Sequence, residues 1–185
     1  KAEFEYFSGF IKLWLSFNSL YKRIYQNSNF RSNDRRYIEE LKNTNNTLKR
    51  RFKALFEGTS DDAKEFQLHL IELIKKFGGV LFGGKTIVEN DNVKPTINGN
   101  RVSEISFRDF IHPRSTQLKR KPAGYVKVGA LYIRENPDEI WPYFVEILYM
   151  LRNMLVHGEM EPIDENHQII RSCYHSLSIL IKDDV

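Results

Sequence analysis

Residues 136–158 read NPDEIWPYFVEILYMLRNMLVHG, and this stretch decides the fold. Asn136 and Pro137 are a typical helix start, because asparagine caps free amide groups and proline suits the first helical position. Apolar residues then recur at steps of four, three, four and four, which places them along one face of a helix. They are Ile140, Phe144, Ile147, Leu151 and Leu155. Gly158 follows where a helix end is expected, so the stretch predicts one long helix with a buried face.

Helices are also predicted on both sides of this stretch. Residues 2–25 carry an apolar stripe with the spacing of a helix. Residues 34–56 predict a second helix, which Asp34 caps at its start. A third helix is predicted from about residue 60 to residue 77, and the last one over residues 164–182, each with its own apolar face.

The segment between these helical regions has a different composition. Residues 78–136 hold 7 of the 10 glycines and 3 of the 6 prolines. Asn98-Gly99 is a typical two-residue hairpin turn, and apolar alternation within residues 126–133 indicates a short extended piece. We therefore predict an all-α fold, a helical bundle in a single domain over residues 1–185, with an irregular, partly β insertion at about 78–136.

The composition is that of an ordinary globular protein. Its 185 residues are 41% hydrophobic and 28% charged, which supplies enough apolar surface for one core. There are 28 lysines and arginines against 24 aspartates and glutamates, and the formal net charge is +4. This mild excess permits RNA or another polyanion as a partner without requiring one.

Cysteine usage and hydropathy point to a location. The single cysteine, Cys173, excludes an internal disulfide and a cysteine-rich metal site, and it fits a reducing, cytoplasmic compartment. No apolar run approaches the roughly 20 residues that span a bilayer. Residues 1–6 do not resemble the start of a signal peptide, so we expect no membrane association.

The end of the helix predicted over residues 136–158 carries three polar side chains whose chemistry suits a phosphate. Arg152 supplies a permanent positive fork that can stabilise a phosphate or a phosphorane-like transition state. Asn153 can hold the histidine ring or a phosphate oxygen by hydrogen bonding. His157 lies at the helix end, where the helix dipole favours an imidazolium and the arginine opposes it. Such a balance suits proton transfer near neutral pH.

These residues resemble a known signature. Residues 151–158, LRNMLVHG, are similar to the motif of the HEPN family, an arginine and a histidine separated by four to six residues, with a polar residue after the arginine. Residues 10–21, FIKLWLSFNSLY, resemble the first helix of HEPN-like domains, with an aromatic core and one asparagine, Asn18. The order of the helices is also similar, because the motif helix comes late and one helix follows it.

The resemblance implies a HEPN-like helical bundle whose catalytic residues are Arg152, Asn153 and His157. It implies metal-independent cleavage of RNA to 2′,3′-cyclic phosphate and 5′-OH ends, with no cofactor and no metal. HEPN ribonucleases pair their motifs across one cleft, so a two-fold homodimer is implied as well. A toxin or defence effector, regulated by an antitoxin or another partner protein, fits this activity. The alternative left open is a non-catalytic HEPN-like module for dimerisation or RNA binding.

Residues 79–86, GVLFGGKT, fit the P-loop pattern of nucleotide-binding proteins. A P-loop follows a strand and opens a helix, whereas here a predicted helix precedes the stretch. No β-α-β pattern surrounds it either, so we do not predict a nucleotide site.

Other polar residues have structural explanations beside functional ones. His167 and Cys173 are six residues apart and face different sides of a helix, so no metal site is predicted there. His69 is interpreted as the edge of a helical core. Asn18 is interpreted as a buried hydrogen-bonding residue, and the other hypothesis is that it supports Arg152.

Basic clusters at residues 31–36, 49–53 and 114–121 allow two interpretations. They form either solvated surface, which we favour, or a phosphate-binding rim around a cleft. Tyr125 and Tyr132 lie near the last of these clusters, where an aromatic ring can stack on a base.

Overall fold

The computed structural model describes residues 3–27, 33–77, 120–128, 131–160 and 163–184. Six α-helices and a two-stranded sheet lie within these ranges, so the all-α prediction is confirmed. The elements are α1 Glu3–Ile24, α2 Asp34–Asn43, α3 Thr47–Glu57, α4 Asp61–Phe77, β1 Tyr125–Val128, β2 Leu131–Arg134, α5 Pro137–Val156 and α6 Asp164–Ile181. The hairpin predicted at Asn98-Gly99 and the P-loop-like stretch at 79–86 lie outside the described residues. No helix in the described ranges is both long and apolar enough to span a membrane.

Helix α5 is the centre of the core. Trp141 and Phe144 are fully buried, and their rings lie 5.3 and 5.2 Å from the ring of Phe52 on α3. The indole nitrogen of Trp141 donates a hydrogen bond of 2.9 Å to the backbone oxygen of Leu41 on α2. Because a buried donor without a partner is costly, this bond helps to set how α2 lies on α5.

The helices pack in two groups. Helices α2 and α3 lie against α5, whereas α6 lies mainly against α1 and α4. Helix α1 supplies an aromatic stripe to this core, as its spacing predicts. The fully or almost fully buried rings of this stripe are Phe10, Trp14, Phe17 and Tyr21.

The prediction of one helix over residues 34–56 is wrong, because the segment forms two helices with a break at residues 44–46. Asn46 explains the break. Its side-chain oxygen accepts the backbone N–H of Lys49 at 2.8 Å, and its amide group donates to the backbone oxygen of Leu41 at 2.9 Å. One side chain thus caps the start of α3 and satisfies a free carbonyl near the end of α2.

The extended piece predicted within residues 126–133 is confirmed as a two-stranded antiparallel sheet. Strands β1 and β2 pair with Tyr125 opposite Arg134. Gly124 precedes β1 with a φ of +74°, a backbone conformation that glycine adopts readily. Ile133 is buried in the core and fastens the sheet to the helices.

A buried carboxylate joins α2 to α5. Glu146 is only 6% exposed, and its two oxygens pair with Arg35 and, at 2.6 Å, with Lys42. Burial alone raises the pKa of Glu146, but the hydrogen bonds from Arg35 and Lys42 outweigh burial and hold this pKa below its ordinary value. The ionised Glu146 therefore anchors both ends of α2, through Arg35 and Lys42, on the middle of α5.

We expect Glu146→Gln to lower the free energy of unfolding by about 3 kcal/mol, because it leaves two cations against a neutral amide. The measurement is urea unfolding followed by circular dichroism. The matched control is Glu39→Gln, which removes a more exposed carboxylate from the same two cations and should cost less than about 1 kcal/mol. Equal losses in the two variants would contradict the anchoring role of Glu146.

The stabilisation that Glu146 supplies should also depend on pH. The pKa of Glu146 is lower in the folded chain than in the unfolded chain, where the pKa of a glutamate is about 4.3. The contribution is therefore present at neutral pH and is lost as pH falls below about 4, through the folded pKa. Unfolding free energies of wild type and Glu146→Gln should converge in acid. A difference that stays constant down to about pH 3 would rule out this linkage.

Candidate functional site

The end of α5 places His157 in solvent. His157 follows the last residue of the helix, and its side chain is exposed. Gly158 has a φ of +67°. The backbone N–H of Glu159 donates to the oxygen of Met154 at 2.8 Å, and that of Gly158 to the oxygen of Leu155 at 3.3 Å. This is the Schellman pattern, so the stop predicted at Gly158 is confirmed and the backbone of His157 is fixed.

Arg152 and Asn153 are in direct contact. A guanidinium nitrogen of Arg152 donates to the side-chain oxygen of Asn153 at 2.8 Å, and both side chains are half-buried. Adjacent residues of a helix do not face each other, so the long arginine side chain curves round to reach the amide. The sequence predicts that Asn153 holds His157 or a phosphate oxygen. In the structure, its side-chain oxygen orients the guanidinium of Arg152, and the contact with His157 or a phosphate stays a prediction.

A polar cluster from α1 and α2 lies beside Arg152. The carboxylate of Asp34 accepts hydrogen bonds from the hydroxyl of Tyr21 at 2.8 Å and from the amide of Asn18 at 3.3 Å, and Lys22 lies 3.6 Å away. Burial and the bond to Asp34 raise the pKa of Tyr21, whereas the charge of Arg152 acts in the opposite direction. The guanidinium of Arg152 is therefore close enough to Tyr21 to influence its ionisation.

The sequence predicts that Asp34 caps α2, and this prediction is wrong. The cap is Asn33, whose side-chain oxygen accepts the backbone N–H of Arg35 at 3.1 Å. Asp34 becomes the first residue of the helix, and its carboxylate points to α1. Sequence analysis missed Asp34 and Tyr21 as neighbours of the motif, because a capping role already accounted for the aspartate and an aromatic stripe for the tyrosine.

Asn18 has a clear structural role. Its amide donates to Asp34, and it makes this bond across the contact between α1 and α2. The favoured interpretation as a hydrogen-bonded residue agrees with this bond, but Asn18 is half-buried rather than buried, and its partner is a side-chain carboxylate rather than the backbone. Its connection with Arg152 is indirect, because Asp34 and Tyr21 stand between them.

Tyr149 extends the site along α5 by one turn from Arg152. The guanidinium of Arg35 lies 5.5 Å from the centroid of the Tyr149 ring, and the ring of Trp14 on α1 lies 6.1 Å from it. A cation over an aromatic face is favourable, so the start of α2 contacts α5 through Tyr149 as well as through Glu146.

His157 does not join Arg152 and Asn153 within one chain. Five residues at about 100° each place His157 about 140° from Arg152 around the helix axis. Among the described residues, no side-chain hydrogen bond or ion pair links His157 to either of them. One chain therefore presents Arg152 and His157 in different directions, whereas Asn153, four residues before His157, lies on the same face of the helix as the histidine.

The basic cluster at residues 49–53, for which a phosphate-binding rim was the alternative interpretation, is largely occupied by internal ion pairs. Lys49 and Lys53 pair with Asp138 at 3.1 and 3.8 Å. Arg51 pairs with Asp183 at 2.6 Å. These cations fasten α3 to its neighbours, which agrees with the favoured interpretation of the cluster at residues 49–53 as structural surface rather than a rim.

Base stacking on Tyr132 is excluded, because this residue is only 5% exposed and offers no open ring face. Tyr125 is half-buried on the neighbouring strand. Lys121, in the same basic cluster, pairs with Glu135 at 3.2 Å. In the described part of this cluster, Lys121 thus connects the segment before β1 with the end of β2.

Similarity to known proteins adds no functional information. No protein-family model matches the chain, and no curated protein or solved structure is significantly similar to it. Function therefore has to be inferred from the chemistry of the side chains at the end of α5 and around it.

Proposed function

We propose that this chain is a HEPN-class endoribonuclease that cleaves RNA without a metal ion and leaves 2′,3′-cyclic phosphate and 5′-OH ends. The observation that carries the proposal is the hydrogen bond of 2.8 Å between Arg152 and Asn153 on a helix that ends at an exposed histidine, His157. The helical order supports it, because α1 carries the aromatic stretch with Asn18 and α6 follows the motif helix. A role as a toxin or defence effector, controlled by an antitoxin or another partner protein, belongs to this proposal.

The proposed reaction transfers one proton to a base and returns one from an acid. A base removes the proton of a ribose 2′-OH, and the 2′-oxygen attacks the adjacent phosphorus. The bond from phosphorus to the 5′-oxygen breaks, and an acid protonates this leaving oxygen. Arg152 stabilises the charge that develops on the phosphoryl oxygens, since its planar fork matches two of them. His157 is the proton-transfer residue, and Asn153 is the positioning residue that orients Arg152.

A second copy of the chain completes this site in the proposal. One histidine cannot serve comfortably as base and acid in the same step, and His157 and Arg152 diverge on one helix. A two-fold axis close to the ends of two α5 helices would bring two motifs to one cleft. Val156 is 55% exposed next to His157 and would lie in the contact of this arrangement, so it is the residue with which the dimer can be tested.

A non-catalytic HEPN-like module for dimerisation or RNA binding is the second candidate. The divergence of Arg152 and His157 within one chain favours it, because a module needs no contact between these two side chains. RNA cleavage distinguishes the two candidates, because a module would bind RNA and leave it intact.

The decisive test is cleavage of a mixed RNA pool in EDTA, with analysis of the product ends. His157→Ala and Arg152→Ala should each slow cleavage at least about 100-fold, because each removes a group that acts in the transition state. Arg152→Lys should not restore the rate, since a lysine lacks the planar fork. Asn153→Ala should give a smaller loss. Arg36→Ala, which removes an exposed arginine on α2, is the control and should match wild type.

Two results would overturn this assignment. Cleavage that survives His157→Ala would come from another site or from a contaminating nuclease. Intact RNA after incubation with a folded, dimeric wild type would favour the binding module. Circular dichroism of each variant shows whether a loss of rate reflects unfolding.

The proposed dimer is tested by sedimentation velocity. We expect the wild type to dimerise and Val156→Lys to raise the dissociation constant at least about tenfold, because a charge then lies in the apolar contact. The matched control is Leu68→Lys, since Leu68 on α4 is equally exposed at 56%. A monomeric wild type, or a Val156→Lys variant that dimerises as wild type does, would contradict the arrangement.

A further inference from the structure

Three side chains that commonly bind metals meet between α4 and α6, and none of them belongs to the motif of α5. Glu65 and His69 are one turn apart on α4, and His175 faces them from α6. Their ligand atoms all lie within 4.8 Å of one another. The two imidazole rings are stacked, with centroids 4.5 Å apart and planes at 8°. The Nε2 atom of His69 lies 3.9 Å from a carboxylate oxygen of Glu65.

The surroundings favour the neutral form of both histidines. Burial, followed by the charges of His175 and Arg171, lowers the pKa of His69. Burial and then Arg171 lower the pKa of His175. A neutral imidazole keeps one ring nitrogen with a free lone pair, which is the form that binds a metal. The ring of Tyr6 on α1 packs 5.7 Å from that of His175 and limits its movement on that side.

The charges that act on this cluster have both signs. Glu65 and Glu72, both on α4, act on His69 in the sense opposite to Arg171. The guanidinium of Arg171 lies 5.8 Å from the centroid of the Tyr6 ring, at the edge of the cluster. Glu72 is itself paired with Lys75 at 3.0 Å, so Glu65 is the carboxylate that lies beside the two imidazoles and can bind a cation.

We propose that Glu65, His69 and His175 form a binding site for a divalent transition-metal ion of the Zn²⁺ type. Imidazole nitrogen and carboxylate oxygen are ordinary zinc ligands, and three protein ligands with a fourth position open to solvent are a common arrangement. This inference goes beyond the proposed ribonuclease function and does not depend on it. His69 is half-buried, as its interpretation as a core-edge residue predicts, and the proposal adds a functional role to that position.

Binding requires a small rearrangement of the three side chains. Zinc–ligand distances of about 2.0–2.2 Å place tetrahedral ligand atoms about 3.4 Å apart. The two imidazole rings must therefore turn out of their stack, and the ligand atoms must approach one another by about 1 Å. The lone pairs of both ring nitrogens then point to one ion. Glu65 is exposed and both histidines are half-buried, so solvent lies beside them and leaves room for this movement.

The test is titration of the metal-free, untagged chain with ZnCl₂ by isothermal calorimetry, with MgCl₂ as the comparison. We expect one zinc ion per chain, a raised melting temperature in zinc and no response to magnesium, because imidazole is a poor magnesium ligand. His69→Gln and His175→Gln should each weaken zinc binding about tenfold or more. Glu65→Gln changes an exposed side chain only and should weaken it as well. His157→Ala removes a histidine outside the cluster and should bind zinc as wild type does.

Absence of zinc binding by the wild type would overturn the proposal, and so would binding that persists in both histidine variants. Circular dichroism checks that these variants fold. If a histidine variant does not fold, Glu65→Gln still tests the site, because it changes an exposed side chain. Failure of this site and failure of the ribonuclease proposal are distinguishable, since RNA cleavage is measured in EDTA. A zinc-deficient His69→Gln variant should therefore cleave RNA at the wild-type rate under those conditions.

Discussion

The contact of Trp141 and Phe144 with Phe52 is the interaction on which the rest of the structure depends. These rings are fully buried and occupy the middle of the fold, where packing is dense and a change of side-chain volume is poorly tolerated. The apolar contact with Phe52 holds α3 on α5. The hydrogen bond from Trp141 to the backbone oxygen of Leu41 holds α2 there as well. The motif occupies the last turns of the same helix, so its backbone is held by the core.

The polar contacts of α2 then determine what surrounds Arg152. Glu146 on α5 pairs with Arg35 and Lys42. Asp34, which precedes Arg35 in the chain, contacts α1 instead. Two consecutive residues of one helix therefore make ionic contacts to two different helices. A buried ion network contributes little net stability when intact but is costly to break, so its main effect is to specify one arrangement of α2. That arrangement places the carboxylate of Asp34 on the hydroxyl of Tyr21, whose pKa the charge of Arg152 lowers against the larger effects of burial and of Asp34.

Local pattern was sufficient for most helices and for the end of α5. The start of α5 at Asn136, its apolar stripe and its stop at Gly158 all follow from short-range rules of capping and spacing. The break at residues 44–46 was missed because Asn46 stabilises it through Leu41 and Lys49, and the sequence does not tell which asparagine caps. The pairing of Glu146 with Arg35 spans 111 positions, so no local pattern reveals it.

Contacts between side chains at the candidate site are also not predictable from local sequence pattern. The sequence identified Arg152, Asn153 and His157, but helical geometry alone places the arginine and the histidine about 140° apart. The bond from Arg152 to Asn153 is a contact between neighbours that the motif does not specify. In the proposed ribonuclease, a second copy of the chain completes the site built from these three residues. The proposed metal site differs in this respect, because two helices of a single chain bring Glu65, His69 and His175 together. Subunit concentration should therefore govern the proposed ribonuclease site, whereas the proposed metal site should form in an isolated chain.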